Sequence, residues 1–433
     1  MMTDERLESI VTAIPGPRSL ALAAKLARYE ARAITYLAPD YPVFWDSAAG
    51  ATVTDVDGNR YLDLTSAFAV AATGHTNAAV ADAIAAQAHR LIHGMGDVHP
   101  TAARADLVER LAALAPGDLD TVFLATGGAE AVEVALKTAY LATGKPHVLA
   151  FAGAYHGLTL GTLDVIGIPK FREPFAPLVG ARATFLPYPG ANDSLADALA
   201  AISVALDSDP LIGTIVVEPI QGRGGVIVPP DGFLRGLRTL CDARGILLVL
   251  DEIFTGFGRT GTRFACEREK VLPDLLCIGK ALAGGVPIAA VIGRAAIMRA
   301  WPENLGEALH TATFLGNPLA CAAALANLDE MERLDVLGRV RRGEARLRER
   351  LERIAALPAV RDLRGCGFFW GLEFSDGAVA NRIVVRALAA GVIILQSGPT
   401  GTSITITPPL VIEDAQLDRA LDIVERIVRE ENA

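Results

Sequence analysis

The sequence predicts an α/β protein in which a mainly parallel sheet lies between helices, joined to a smaller α+β domain. The first observation is that six short apolar runs alternate with helix-like segments through the middle of the chain. Strands that are apolar along their whole length are typical of a parallel sheet covered on both faces. The second observation is a change of pattern in the last quarter, where a highly charged helical stretch precedes further short strands.

Each predicted strand of the larger part is a run of apolar residues bounded by turn or helix signals. The first, TVFLAT, precedes GGAEAVEVALKTAYLATG, which is rich in helix-forming residues and ends at Gly144, a residue suited to ending a helix. The predicted strands occupy 121–126, 147–151, 214–219, 246–250, 275–279 and 287–293. Because ligands collect at the carboxyl ends of such strands, we expect the functional residues directly after each run.

The remainder of the chain predicts the smaller domain. The alternating charges of ERLDVLGRVRRGEARLRERLERI are typical of a solvated helix face. AVRDLRGCGFFWGLEF and GVIILQ predict strands, and a last helix is expected at about 412–430. The predicted division gives 1–65 as an N-terminal segment of the small domain, 66–325 as the large domain and 326–433 as the C-terminal small domain.

Composition excludes several classes of function. The chain has 433 residues, 51% of them hydrophobic, and a net charge of -10, which argues against a nucleic-acid partner. Its five cysteines are scattered without a CxxC pair, which indicates free thiols in a reducing compartment. No apolar run reaches the ~18 residues of a membrane helix, and the first residues do not resemble a signal peptide. The expected location is therefore the cytoplasm, with no membrane partner.

The strand at 246–250 delivers Asp251 to the edge of the sheet, and three interpretations of this acid are open. It could hold magnesium in a nucleotide hydrolase, hold the cation of a cofactor, or cap the next turn. The hydrolase interpretation requires G-x-x-x-x-G-K-[ST], and no such run exists. Lys145 and Lys280 each follow a glycine, but neither is followed by a hydroxyl residue.

The other strand ends favour a cofactor. Gly127, Gly128 and Ala129 open a helix, whose free N–H groups and dipole form a phosphate site. Lys280 follows a buried strand, where desolvation lets an amine lose its proton and form an imine. Asp251 can keep a heteroaromatic nitrogen protonated and so strengthen an electron sink, and an aromatic residue can stack on the ring. Together these features indicate pyridoxal 5'-phosphate.

The block LLVLDEIFTGFGRTG…PDLLCIGKALAGGVPIAAVIG, with Asp251 and Lys280 29 positions apart, resembles a known family. It is similar to the class III pyridoxal-phosphate aminotransferases of fold type I, the group of ornithine, acetylornithine and 4-aminobutyrate aminotransferases. The resemblance runs from VTDVDGNRYLDL (53–64) to ITPPLVI (406–412). It implies a seven-stranded, mainly parallel sheet in the large domain and a transaminase activity.

The resemblance also implies residue roles. Lys280 is the catalytic lysine, which bonds the cofactor and moves the proton between the substrate carbon and the C4' carbon. Asp251 pairs with the pyridine nitrogen, while Tyr155 and Ile253 cover the two ring faces. Thr313 matches a threonine that reaches the phosphate from the neighbouring subunit, which implies a homodimer with shared active sites, or a tetramer built from it. The further predicted cofactor-binding residues are Gly127, Gly128, Ala129, His156 and Glu218.

Some of these residues have a plainer interpretation. His156 is expected to support the site structurally rather than to transfer protons, and Met95 either touches substrate or packs. His89 and His93 are four apart on a predicted helix, but only His99 offers a third ligand nearby, so no metal site is predicted.

Three departures from the family pattern bear on the substrate. Phe254 replaces a glutamine that usually bonds the ring hydroxyl oxygen, and Gly127 and Ala129 replace hydroxyl residues of the phosphate loop. Thr405 stands where many relatives carry an arginine that grips the substrate α-carboxylate. No Lys or Arg occurs from residue 387 to residue 418, so the family partner of that arginine, Glu218, has lost it. The predicted substrate contacts are Phe68, Met95, Arg223, Phe254 and Thr405.

Two explanations of Thr405 remain open. Either another cation, such as Arg223, binds the carboxylate, or one substrate has no α-carboxylate near this wall. The predicted function is a transaminase that moves an amino group between an amine, ω-amino compound, amino sugar or amino acid and a 2-oxo acid. The alternative is an amino-acid racemase or epimerase of the same family.

Overall fold

A computed structural model of the protein describes residues 6–303 and 306–431. Its contacts divide the chain into two units. Unit 1 is formed by Met1–Asn77 and Gly338–Ala433, and unit 2 by Ala78–Leu337. Within the described residues, no helix is long and apolar enough to cross a membrane.

The first part of unit 1 combines one helix, three strands and a single turn. These elements are α1 (Pro17–Tyr29), β1 (Trp45–Ala49), β2 (Thr52–Asp55), β3 (Arg60–Asp63) and α2 (Ser66–Ala69). The helices of unit 2 are α3 (Ala78–Arg90), α4 (Ala102–Leu114), α5 (Gly128–Thr143), α6 (Leu160–Leu163), α7 (Pro169–Arg172), α8 (Leu195–Ser208), α9 (Phe233–Arg244), α10 (Ala295–Met298) and α11 (Pro318–Arg333). Three short 3-10 segments accompany them, at Glu173–Leu178, Ala265–Glu269 and Lys280–Leu282.

The strands of unit 2 alternate with its helices. They are β4 (Thr121–Ala125), β5 (His147–Phe151), β6 (Ala183–Leu186), β7 (Ile212–Val217), β8 (Leu247–Asp251), β9 (Leu275–Ile278) and β10 (Ala289–Gly293). The second part of unit 1 follows, with α12 (Val336–Ala355), β11 (Val360–Cys366), β12 (Phe369–Phe374), α13 (Gly377–Ala389), β13 (Val392–Ile393), β14 (Leu395–Ser397), β15 (Ser403–Ile406) and α14 (Asp414–Glu430).

The seven strands of unit 2 form one sheet in the order β4-β10-β9-β8-β7-β5-β6. Strands β5 to β9 pair in parallel with their neighbours, and β7, β9 and β10 are buried along their whole length. The core between sheet and helices includes Val132 and Ala135 of α5 and Val216 and Val249 of the central strands. The predicted α/β class with a seven-stranded, mainly parallel sheet is confirmed.

Strand β10 is the exception, because it runs antiparallel to both β4 and β9. The segment that joins β9 to β10, residues 279–288, is shorter than the dozen or more residues of a typical parallel crossover. The chain therefore turns back beside β9. Lys280, the first residue after Gly279, lies at the same sheet edge as the carboxyl end of β8, because β9 and β8 run parallel.

Unit 1 contains two four-stranded sheets, β1-β2-β3-β13 and β11-β12-β15-β14. The second sheet is antiparallel throughout. The glycine-rich sequence around Gly365 and Gly367 forms the reversal between β11 and β12, and Gly367 has a φ of 56°, where glycine is favoured.

The boundaries between the two units lie later in the chain than the predicted domain boundaries. They fall at 77/78 instead of 65/66 and at 337/338 instead of 325/326. Residues 66–77 bond to other parts of unit 1: the Ser66 hydroxyl donates to the Thr407 carbonyl, and His75 pairs with Asp63. At the second boundary, α11 continues without a break to Arg333 and packs on α3 and α4. Residue 325 therefore lies inside a helix of unit 2.

Candidate active site

Asp251 is the last residue of β8, and its carboxylate is held on both oxygens. Its Oδ2 lies 2.8 Å from Nδ1 of His156, and its Oδ1 accepts the N–H of Ile253 at 3.1 Å. Asp251 and His156 are both buried. Burial lowers the pKa of His156, but the hydrogen bond to Asp251 and the charges of Asp251 and Glu218 outweigh it, so the pKa is raised. The pair therefore favours a charged histidine beside a fixed carboxylate.

Lys280 follows β9 and has a φ of 42°. A left-handed backbone is uncommon for a residue other than glycine, and it costs roughly 1–2 kcal/mol. Burial lowers the pKa of Lys280 to about 8, although the carboxylates of Asp251 and Glu218 act in the opposite direction. A neutral amine is thus accessible near physiological pH, which is what imine formation requires.

Glu218 follows β7 and accepts two backbone N–H groups, from Tyr155 at 2.9 Å and from Gly222 at 2.9 Å. Burial raises the pKa of Glu218 to about 7; Asp251 adds to this effect, while His156 and the two N–H groups oppose it. Tyr155 is anchored through its own backbone to this carboxylate, and its ring packs edge-on against Phe171 with 5.9 Å between centroids. Burial also raises the pKa of Tyr155, against the nearby charge of Arg223.

The helix start after β4 approaches the same sheet edge. Gly127 is the N-cap of α5 and has no side chain to cap the first N–H groups. A Cβ built on Gly128 would lie 2.9 Å from Cδ1 of Ile253, and a Cβ on Gly157 would lie 2.5 Å from that of Ala129. Ile253 also lies 3.5 Å, by its Cγ2, from a Cβ built on Gly279. The start of α5 therefore adjoins both Ile253 and the loop after β5, and Ile253 also adjoins Gly279 at the end of β9.

Met95 and Thr313 lie on two adjoining segments of unit 2. Met95 is 59% exposed and bridges to His99, while Thr313 is exposed and its carbonyl oxygen adjoins Gly96. The His93 ring packs on Phe314 with 5.2 Å between centroids. Across the described ranges 6–303 and 306–431, no group of three or more His, Cys, Asp or Glu could hold a metal ion.

Two predicted substrate residues lie in unit 1. The Thr405 hydroxyl on β15 donates to Ser397 Oγ at 2.6 Å, and both residues are buried. Phe68 is 65% exposed and belongs to α2, whose four residues all have positive φ. Four left-handed residues in a row are costly, and strain of this kind clusters at functional sites.

One contact of the site was missed by sequence reasoning. The amine of Lys280 lies 4.2 Å from the centroid of the Phe254 ring. Phe254 was predicted as a substrate residue because it replaces a glutamine of the family pattern. Its contact with Lys280 could not be predicted from a single sequence, because side chains in a loop do not alternate in direction with a regular period as they do in a strand or helix.

A family model described as aminotransferase class-III matches residues 36–428. The chain belongs to the class-III aminotransferase family. This class-III aminotransferase is 40% identical over 383 residues to the acetylornithine aminotransferase of Methanopyrus kandleri, covering 88% of this chain and 93% of that one. It is 38% identical over 451 residues to the 4-aminobutyrate aminotransferase of Mycobacterium leprae, covering 99% of each chain.

Among solved structures, this aminotransferase is similar to the ornithine aminotransferase of Toxoplasma gondii, crystallised in the presence of oxidised glutathione with partial occupancy of PLP at the active site. The TM-score is 0.85 at 30% identity, with 94% of each chain covered. The predicted family and enzyme class are confirmed: the protein is a pyridoxal-phosphate-dependent aminotransferase, whose substrates are an amino donor and a 2-oxo acid acceptor.

The residues of unit 2 fit this cofactor on their own chemistry. The uncapped start of α5 offers free N–H groups for a phosphate. Nε2 of His156 is buried and has no hydrogen-bond partner among the described residues, as expected for a polar atom near a bound group. A buried carboxylate and an amine of lowered pKa complete the set of groups that pyridoxal phosphate requires.

Proposed function

We propose that the protein transfers the amino group of a primary amine, an ω-amino compound or an amino sugar to a 2-oxo acid, with Lys280 as its catalytic residue. The observation that carries the proposal is the cluster in unit 2, where a lysine of lowered pKa and a fixed carboxylate lie at the carboxyl ends of two neighbouring parallel strands. When bound, pyridoxal 5'-phosphate supplies the carbonyl that takes the amino group and the ring that stores electrons.

Lys280 acts as a nucleophile and then as a proton carrier. With a pKa of about 8, roughly a tenth of the amines are neutral at pH 7. An ordinary lysine, with a pKa of about 10.4, would be neutral in less than one molecule in a thousand. The neutral amine of Lys280 would be able to bond to the carbonyl that the cofactor supplies, and as the general base it would accept the proton of the substrate carbon.

Asp251 would hold the cofactor by its ring nitrogen. Its two hydrogen bonds, to His156 and to the Ile253 N–H, fix the rotamer and leave lone pairs for a further donor. The raised pKa of His156 favours a positive charge at the histidine beside this carboxylate. A fixed charge in a dry site stabilises a protonated ring better than a solvated acid would.

The remaining groups would orient the cofactor. Tyr155 and Ile253 would cover the two ring faces, with Glu218 holding the Tyr155 backbone. The N-terminus of α5, at Gly127, Gly128 and Ala129, would bind the phosphate through backbone N–H groups.

We further propose a homodimer in which Thr313 of one subunit reaches the phosphate of the other. The support is an exposed apolar surface around Thr313, since monomers rarely expose large contiguous apolar patches.

The five cysteines are free and buried, which supports the predicted cytoplasmic location.

The donor class rests on Thr405. The resemblance puts this residue where relatives bind an α-carboxylate, and here the position carries a hydroxyl bonded to Ser397 instead of a cation. A neutral wall of this kind gives no charge-assisted contact to a carboxylate. The relative of Mycobacterium leprae acts on 4-aminobutyrate, whose amino group is remote from its carboxylate.

The role of Lys280 can be tested by trapping its bond to the cofactor. The protein is loaded with pyridoxal 5'-phosphate, reduced with borohydride, digested and examined by mass spectrometry. We expect the added mass on the Lys280 peptide and on none of the other five lysines of the chain. Lys280→Ala should lose the label and the activity, while Lys270→Ala, at an exposed position, should keep both. A label on another lysine would overturn the assignment.

A further inference from the structure

The face of an aromatic ring lies beside the catalytic amine. The Lys280 amine is 4.2 Å from the centroid of the Phe254 ring, within the distance at which an ammonium is attracted by the negative face of the ring. Both residues are partly buried, so water screens this attraction less than it would at an open surface.

The Phe254 ring also adjoins Gly222. A Cβ built on Gly222 would lie 3.2 Å from Cδ2 of Phe254 and 3.6 Å from Oε2 of Glu218. The Gly222 N–H donates to that same carboxylate oxygen, which fixes the backbone. The Phe254 ring therefore has both a fixed glycine and the Lys280 amine as neighbours.

Three other influences act on the Lys280 amine. Burial favours its neutral form, while the carboxylates of Asp251 and Glu218 favour its charged form. Glu218 has a pKa raised to about 7, so near neutral pH its own charge is incomplete. A ring face adds an attraction for the ammonium that does not itself titrate.

We infer that Phe254 is a positioning residue for Lys280, holding the charged amine against its ring face whenever that amine is not bonded to the cofactor. The inference rests on the proposed role of Lys280 in catalysis. It assigns to Phe254 a function toward this chain's own lysine rather than toward substrate. In the transfer reaction, the ring keeps the amine beside the site after the amine has taken up a proton.

The pKa of Lys280 in the cofactor-free, full-length protein tests the inference. It is measured by competitive labelling with acetic anhydride across a pH series, with the other five lysines as internal references. Phe254→Leu removes the ring face and keeps an apolar side chain, so the Lys280 pKa should fall by about 0.5 to 1 unit. A pKa equal to that of the wild type, in a variant with the same thermal melting temperature, would overturn the inference.

A second variant preserves the packing of the ring, so that a change in the Lys280 pKa cannot be attributed to a change in folding. Trifluorophenylalanine at position 254 keeps the shape of the ring and removes most of its negative face, and it should lower the Lys280 pKa as Phe254→Leu does. Phe171→Leu is the matched control, because its ring packs on Tyr155 instead of on Lys280, and it should leave the pKa unchanged. An unchanged pKa in the fluorinated variant would also contradict the inference.

The titration needs neither cofactor nor substrate. If borohydride trapping fails on Lys280 but the fluorinated variant shifts the pKa, the catalytic assignment is wrong while the ring contact stands. If trapping succeeds and the pKa does not move, Phe254 is not a positioning residue, whereas Lys280 remains catalytic.

Discussion

Burial moves the pKa values of two side chains, Glu218 and Lys280, toward neutrality from opposite sides. The carboxyl of Glu218 is raised to about 7 and the amine of Lys280 is lowered to about 8. Each group pays for losing water in its charged form. The site therefore carries less fixed charge near neutral pH than its residue types indicate, which suits groups that must bind and release protons.

Glu218→Gln should change how stability depends on pH. The folded-state pKa of Glu218 lies above the ordinary 4.5, so folding is favoured below pH 4.5 and this advantage is lost as pH rises through about 7. The wild type should therefore lose stability relative to Glu218→Gln across that window, by about 3 kcal/mol at most. Urea unfolding of the cofactor-free protein at several pH values measures the difference.

Glu373→Gln is the control for this experiment. Burial raises the pKa of Glu373, but hydrogen bonds from Ser403 and Thr402 and the nearby Arg364 outweigh it, so the pKa is lowered. The stabilising effect of that group is present above its unfolded pKa and is lost only as pH falls. A difference between wild type and Glu218→Gln that stays constant from about pH 4.5 to 7 would contradict the account.

At the scale of elements, the site depends on how closely α5 approaches the loop after β8. Gly128 begins α5, and a Cβ there would lie 2.9 Å from Ile253. Gly127, one residue earlier, has an extended backbone with a φ of -162°, and a Cβ there would meet no atom within 4 Å. Of these two adjacent glycines, only Gly128 is therefore required to be small by its surroundings.

Gly128→Ala should weaken cofactor binding, whereas Gly127→Ala should not. The added methyl at position 128 pushes Ile253 from the place where it would cover the cofactor ring, an overpacking cost of about 1–3 kcal/mol. We expect the dissociation constant of pyridoxal 5'-phosphate to rise by about 10-fold or more. Fluorescence titration of both variants measures it, and equal affinities for Gly128→Ala and the wild type would refute the explanation.

The elements that could be predicted from the sequence are those with a strong local pattern. The apolar runs predicted the strands before Asp251 and Lys280, and the rule that ligands meet strand carboxyl ends predicted that these residues converge. The direction of β10 and the contact of Phe254 with Lys280 were not predicted. Both depend on packing between segments that are distant in the chain, which local sequence patterns do not reveal. The domain boundary at 325/326 was placed inside α11 because its Ala-rich sequence continues without a stop.

At the scale of the whole molecule, unit 2 exposes an apolar surface around two adjoining segments. His93 packs on Phe314, and Gly96 adjoins the carbonyl oxygens of Thr313 and Leu315, so the segments lie side by side. The large apolar residues exposed here are Leu91, Ile92, Met95, Val98, Leu309 and Phe314. We expect this surface to be buried between two copies of the chain.

Phe314→Glu should shift the protein from dimer toward monomer. A carboxylate at the centre of an apolar interface is costly to bury unless it finds a partner. Sedimentation velocity at several concentrations measures the effect. Val204→Glu, which places the same charge at an exposed apolar residue of α8, should leave the dimer intact. A wild type that sediments as a monomer at every concentration would refute the proposed dimer.

The most direct test of the account is a half-reaction screen. Protein loaded with pyridoxal 5'-phosphate is mixed with one amino donor at a time, and the absorbance change that accompanies amino transfer is followed. We predict fast conversion with primary amines, ω-amino compounds or amino sugars, and much slower conversion with α-amino acids. Conversion confined to α-amino acids would contradict the donor class, and α-hydrogen exchange without conversion would indicate a racemase instead.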